Sequence, residues 1–359
     1  MKNLIILCIS LGLLAVLAHE PTTEDFTTFT YEEAIELALE SRPEIDDLED
    51  AISDLRDTRR DLREMLSHSA WLSTTQVTEL RRHVEEIDRQ IEELNLDIRI
   101  IELRAEQTLR NILFDIVTTA IDIESMESTL IVSNENYRRA NTLYQLRMIS
   151  ANELRRARSS LAQDEMNLVN LHFTKANSQA NLNLLLGQPV YQQTVVYFER
   201  VLSNPPENLT QHITRSVSQS PTIRQMQINT TRQRIALNAH NERCNITPWH
   251  DCDTHVQLRE AYDRARRNQS LETRRIETAL RIAHSNAEQL RNQEHAIKLE
   301  LYQAIENLEI AQLSLELGRS TQFEIVIAQN NTRIVELDVE RVLYRQWVLQ
   351  LTLDNPALL

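Results

Sequence analysis

Residues 276–315 read IETALRIAHSNAEQLRNQEHAIKLELYQAIENLEIAQLSL, without a glycine or a proline. Ile276, Leu280, Ala283, Ala287, Leu290, Glu294, Ile297, Leu301, Ala304, Leu308, Ala311 and Leu315 follow in alternating steps of four and three, with Glu294 the one polar member. Such steps average 3.5 residues, the period of a coiled-coil seam. The alanines are small knobs that bury little area. They predict neighbours on more than one side, a multi-helix array rather than a two-stranded rod.

The same steps run through Leu80, Val84, Ile87, Ile91, Leu94, Ile98, Ile101 and Ala105. At Leu109, Ile112 and Ile116 the phase slips by one residue, as a stutter that relaxes a left-handed supercoil. Around these stripes the chain has little punctuation: 3 Gly and 8 Pro against 42% hydrophobic and 25% charged residues. No proline falls between Pro43 and Pro189 or between Pro248 and Pro356. The fold class is therefore all-α, built of very long helices.

The organisation is duplicated. YEEAIELALESRPEI (31–45) aligns with LTQHITRSVSQSPTI (209–223), Pro43 on Pro221 and Ile45 on Ile223. NYRRANTLYQLRMISANELRRA (136–157) aligns with NLEIAQLSLELGRSTQFEIVIA (307–328), Ala140 on Ala311, Glu153 on Glu324 and Ala157 on Ala328. Each copy reads as a shorter helix, a turn, a very long helix, a tight turn and a return helix. The divisions are a signal segment 1–18, an N-terminal segment 19–30, repeat 1 at 31–189, a linker at 190–208 and repeat 2 at 209–356. The β-branched, aromatic run Thr194 to Phe198 in the linker predicts one short strand, the only non-helical element of any size.

Lys2, the apolar run Leu4 to Leu17 and the small-residue pattern ending at Ala18 read as a secretory signal cleaved near Ala18. The run is short of the ~20 residues that span a bilayer, which leaves a retained anchor as the alternative. Export makes the mature chain extracytoplasmic and removes Cys8. No later run of 18 apolar residues occurs, so no transmembrane helix is expected. A net charge of −15 repels phosphate backbones, and nucleic acid is not an expected partner. There is no phosphate loop, nucleophile elbow or paired-carboxylate motif, and the histidines are scattered, so the chain reads as no enzyme and implies no cofactor.

The two copies resemble the TolC-like outer membrane efflux protein family. The resemblance rests on the alanine-rich long helices, the tip stretches YQLRMISANELRRARSSL and LELGRSTQFEIVIAQNNT, the closing ANLNLLLGQP and LTLDNPALL, and the opening EEAIELALESRPEI. It implies a homotrimer whose helices close into a hollow α-barrel, with helical tips that narrow the duct and meet a membrane-fusion adaptor and its transporter. In that family each repeat also supplies two membrane strands between its first helix and its long helix. Here that place holds SHSAWLSTTQV (67–77) and CNITPWHDCD (244–253), too short for two strands of ~9–11 residues and a turn, so the membrane barrel is missing.

Carried over residue by residue, the family's acidic pore ring falls on Glu324 and, in the other tip, on Glu153; the family's further ring acid falls on Ile327. Threefold crowding of Glu324 would raise its pKa and favour cations. The same two glutamates also read as first-turn acids complementing a helix dipole, and the sequence leaves both readings open. Adaptor-contact residues would be Arg147, Ile149 and Ser150 in tip 1 and Gly318, Arg319, Ser320 and Thr321 in tip 2, with Ser150 and Ser320 to Thr321 equally suited to capping the return helices. Arg147 stands where the family has glycine. Cys244 and Cys252 sit where a membrane hairpin would be and read as a disulfide strapping a helix turn, with free thiols or a zinc site including His240, His250 and His255 as alternatives. The leading functional reading is an exported duct component; the alternative is a non-conducting coiled-coil scaffold or envelope spacer.

Overall fold

The computed structural model describes residues 27–68, 73–198, 208–246 and 252–355, with the side chains of 242–246 and 252–253 left aside. The expected signal segment therefore lies outside the described residues. Helices dominate: α1 (Tyr31–Glu40), α2 (Pro43–Ser67), α3 (Thr74–Gln145), α4 (Ala151–Leu185), α5 (Leu209–Gln219), α6 (Pro221–Ile246), α7 (Cys252–Glu316) and α8 (Gln322–Asp354). Among the described residues two short strands, β1 (Thr27–Thr30) and β2 (Thr194–Tyr197), complete the elements.

The long helices α3 and α7 contain 72 and 65 residues, on the order of 100 Å each at ~1.5 Å per residue. Their seams fall where the period puts them. Ile276 and Leu280 are fully buried and Ala283 nearly so, while the remaining seam positions down to Leu315 are half-buried. Glu294, the polar member, accepts from Lys298 and from Gln346 Nε2 at 2.9 Å. Burial alone would raise its pKa, but these donors outweigh it and hold the carboxyl below the usual range.

The opening helix of each repeat is two helices, not one. Proline at position 43 or 221 lacks an N–H and crowds the preceding turn, so α1 stops before Pro43 and α5 before Pro221, and each proline becomes the first residue of the next helix. The second strand is also additional to the sequence reading. β1 pairs in parallel with the expected β2, Thr27 opposite Thr194 through Thr30 opposite Tyr197. Asn183, fully buried, reaches the carbonyls of Pro189, Val190 and Gln192 through Nδ2 at 3.2, 3.0 and 2.6 Å, pinning the connection that leads from α4 into β2.

Above the tips, four helices stand side by side in the order α4, α3, α8, α7. In the other half of the molecule the order is α2, α3, α6, α7. Ion pairs clamp repeat 1 to repeat 2 in both halves. Arg333 meets Glu124 at 2.6 Å and Arg341 meets Asp122 between α8 and α3; Arg232 meets Glu86 and Glu93 at 2.7 Å between α6 and α3. Each pair is half-exposed and individually worth ~0–1 kcal/mol, so together they fix register more than stability.

Where the halves meet, Leu109, Leu113, Leu182, Leu186, Ala34, Ala38 and Trp347 form a core, with Ile112 and Ile116 against it. The phase slip in α3 coincides with this core: it turns the apolar face from α2 and α6 toward α1, the strand pair and α8. Arg110 lies over the rings of Tyr31 (5.5 Å) and Trp347 (4.9 Å), donates to the Tyr31 hydroxyl at 2.7 Å and pairs with Glu106. Phe198 stacks on Trp347 at 4.7 Å, joining the linker to both repeats.

Candidate functional site

The candidate site is the pair of turns at one end of the molecule. Both are built alike. The α3 helix ends at Gln145 with Leu146 as its cap, and Arg147 then takes φ +58°, so that the Met148 N–H returns to the Leu143 carbonyl at 2.8 Å and the Arg147 N–H to Tyr144 at 2.9 Å. In the twin turn Gly318 takes φ +67°, with Arg319 N–H on Ser314 and Gly318 N–H on Leu315, both at 2.8 Å. A left-handed residue closing the last helical turn in this way satisfies carbonyls that would otherwise be orphaned.

The return helices begin with caps that share a back-reaching glutamate. Ser150 Oγ accepts the Glu153 N–H at 3.3 Å, and the Glu153 carboxylate accepts the Ser150 N–H at 2.7 Å and its hydroxyl at 2.9 Å. Glu324 accepts the Ser320 hydroxyl and, at 3.3 Å, the Thr321 N–H. These are capping boxes, in which the third helical residue reaches back to the cap. The consequence for charge is direct. Hydrogen bonds from the Ser150 backbone and hydroxyl hold Glu153 below the usual carboxylate range, and those from the Ser320 hydroxyl and Thr321 backbone do the same for Glu324, with Arg139 adding to the effect. Within one chain the shift is opposite to the rise that threefold crowding predicts, and each carboxylate is tied to its own turn.

Of the sequence-derived tip residues, Arg147, Ser150, Gly318, Arg319 and Thr321 are exposed, while Ile149 and Ser320 are half-buried. Sequence reasoning missed what surrounds them: Leu146, Met148 and Leu317 lie about two-thirds exposed beside the left-handed residues, and Arg139 sits 5.9 Å from the Phe323 ring. The signal was present in the pattern, since these apolar residues depart from the seam. At the opposite end, α6 runs to Ile246 and α7 starts at Cys252; the Cys244 and Cys252 side chains lie outside the described residues, as does His250. Residues 73–77 are the cap and first turn of α3 rather than strand, and only 69–72 and 247–251 lie undescribed between the helices there. Among the described residues no helix is long and apolar enough to cross a membrane.

Against solved structures, the CmeC outer membrane channel of Campylobacter jejuni superposes with a TM-score of 0.66 at 12% identity, over 91% of this chain and 85% of that one. The outer membrane protein VceC of Vibrio cholerae gives 0.62 at 11% identity, over 89% and 95%. The chain has the TolC-like fold. CusC, whose transmembrane channel formation has been described, matches at 0.65 and 12% identity over 91% of this chain and 92% of its own. No family model matches the sequence, and no curated protein matches it. The likeness is carried by the duplicated hairpins and their order, not by residue identity.

Proposed function

We propose that the chain is one subunit of a trimeric efflux or secretion duct, a hollow helical tube that works outside the cytoplasm with a membrane-fusion adaptor and its transporter. The observation that carries this reading is an open arc. In the tip half, α3 and α8 are covered on two sides, whereas α4 and α7 at the two edges are covered along one seam each. Beyond those seams α4 exposes Met166, Val169 and Phe173, and α7 exposes Leu299, Tyr302, Ile310 and Leu313, all 48% or more accessible. Edges this apolar call for a partner, and copies of the same arc close into a ring with an empty centre.

In such a ring the turns with Glu153 and Glu324 form the narrow end, and the exposed Leu146, Met148 and Leu317 with Arg147 and Arg319 are the surface offered to the adaptor. The same caps favour a second reading at one point: carboxylates already engaged in helix starts serve a non-conducting scaffold equally well. Electron microscopy of the purified chain separates the two. A threefold particle with a central hole supports the duct, and a rod without a hole overturns it.

A further inference from the structure

The two tips are alike in backbone and opposite in charge. From Glu135 to Arg158 the chain carries six arginines and two glutamates; the equivalent stretch, Glu306 to Gln329, carries four glutamates and one arginine. Three of the six arginines, Arg155, Arg156 and Arg158, lie on the edge helix α4, and three of the four glutamates, Glu306, Glu309 and Glu316, on the edge helix α7. On α4 the positions Arg155, Arg158, Ala162, Met166, Val169 and Phe173 follow steps of three and four, so they share one face, and this face is exposed, turned away from the seam that packs on α3. On α7 the positions Leu299, Tyr302, Glu306, Glu309 and Leu313 do the same, exposed and turned away from the seam on α8.

Both charged pairs also lie near the tips. Counting from the left-handed residue of each turn, Arg155 and Arg158 lie eight and eleven residues along α4, and Glu309 and Glu306 lie nine and twelve residues back along α7. The two turns lie at the same end but are not level: Arg139, eight residues before Arg147, reaches Phe323, five residues past Gly318, and Glu124, 23 residues before Arg147, pairs with Arg333, 15 residues past Gly318. None of Arg155, Arg158, Glu306 and Glu309 forms an ion pair with another described residue, although arginines elsewhere on the molecule regularly do.

We infer that the α4 edge of one copy docks on the α7 edge of the next, with Arg155 and Arg158 facing the acidic stretch of Glu306 and Glu309 and the apolar positions meeting above them. The inference rests on the ring proposed above and adds which faces meet and through which charges. The interface joins two different edges, so each copy carries one of each and the ring closes without an unused face.

The test uses the purified full chain and sedimentation velocity at low and high salt. Arg155→Glu/Arg158→Glu and, separately, Glu306→Arg/Glu309→Arg place like charges opposite one another. Each is expected to weaken assembly by about tenfold or more at low salt, with helicity by circular dichroism unchanged. The fourfold variant carrying both pairs restores complementarity and is expected to assemble like the unaltered chain, which also excludes misfolding as the cause. If the unaltered chain assembles and the reversed pairs assemble as well as it does, or the fourfold variant fails to recover, the interface is overturned while the duct stands. If the unaltered chain remains a monomer, the duct itself falls.

Discussion

Arg147 and Gly318 hold the same left-handed backbone in equivalent turns, and only glycine does so without steric cost. Gly318→Ala is expected to destabilise its tip by roughly 1 kcal/mol, although nothing lies within 4 Å of the added carbon, and Arg147→Gly to steady the other tip by up to ~1 kcal/mol; hydrogen exchange of the turn amides reads both. The capping glutamates give a pH dependence. Their folded pKa values are lowered, so the stability they lend is complete above the ordinary carboxylate range and is lost as pH falls through the lowered values. Amide shifts of Ser150 and Thr321 should therefore titrate with midpoints below those of free glutamate, and Glu153→Gln should abolish the Ser150 titration. At this scale Gly318 and the Ser-x-x-Glu cap were legible because their chemistry is local. The positive φ of Arg147 was visible only through its alignment with glycine, and the Arg139–Phe323 contact joins different repeats, which no local pattern reveals.

Among elements, the short connection between α4 and β2 depends on one side chain. Asn183→Ala leaves three carbonyls without their donor inside the protein and should cost on the order of 2–3 kcal/mol, read as a lowered thermal midpoint with unchanged far-ultraviolet spectrum. The seams of α3 and α7 could be read residue by residue because helical burial follows a fixed period. β2 was legible from its β-branched run, but its partner was not: Thr27–Thr30 is too short and polar to announce a strand until the linker comes alongside it. The breaks at Pro43 and Pro221 were in view only as an aligned pair: the sequence reading ran one helix through each, although proline favours the first turn of a helix.

Across the whole molecule, the Tyr31, Arg110, Phe198 and Trp347 cluster joins repeat 1, the linker and repeat 2. Burial pushes the Tyr31 hydroxyl up to about 12 despite the opposing pull of Arg110. A raised folded value means that this contribution is fully present below the ordinary tyrosine pKa of ~10 and disappears between there and about 12, so alkaline unfolding should steepen in that window and Tyr31→Phe should flatten it. Trp347→Ala is expected to cost about 3–5 kcal/mol, visible in urea unfolding as a shift of the whole transition. The duplicated order of hairpins was legible in the sequence because alignment of the copies is independent of contacts. The open arc was not, since which helix faces are left over depends on ion pairs such as Arg333–Glu124 that join residues far apart in the chain.

Each long hairpin pairs segments that are sequence neighbours across a turn of a few residues, α3 with α4 and α7 with α8. Contacts of that kind cost little loop-closure entropy at the bend and progressively more helix than loop thereafter. The chain can therefore zip outward from Arg147 and Gly318, each hairpin drawing on contacts within its own copy.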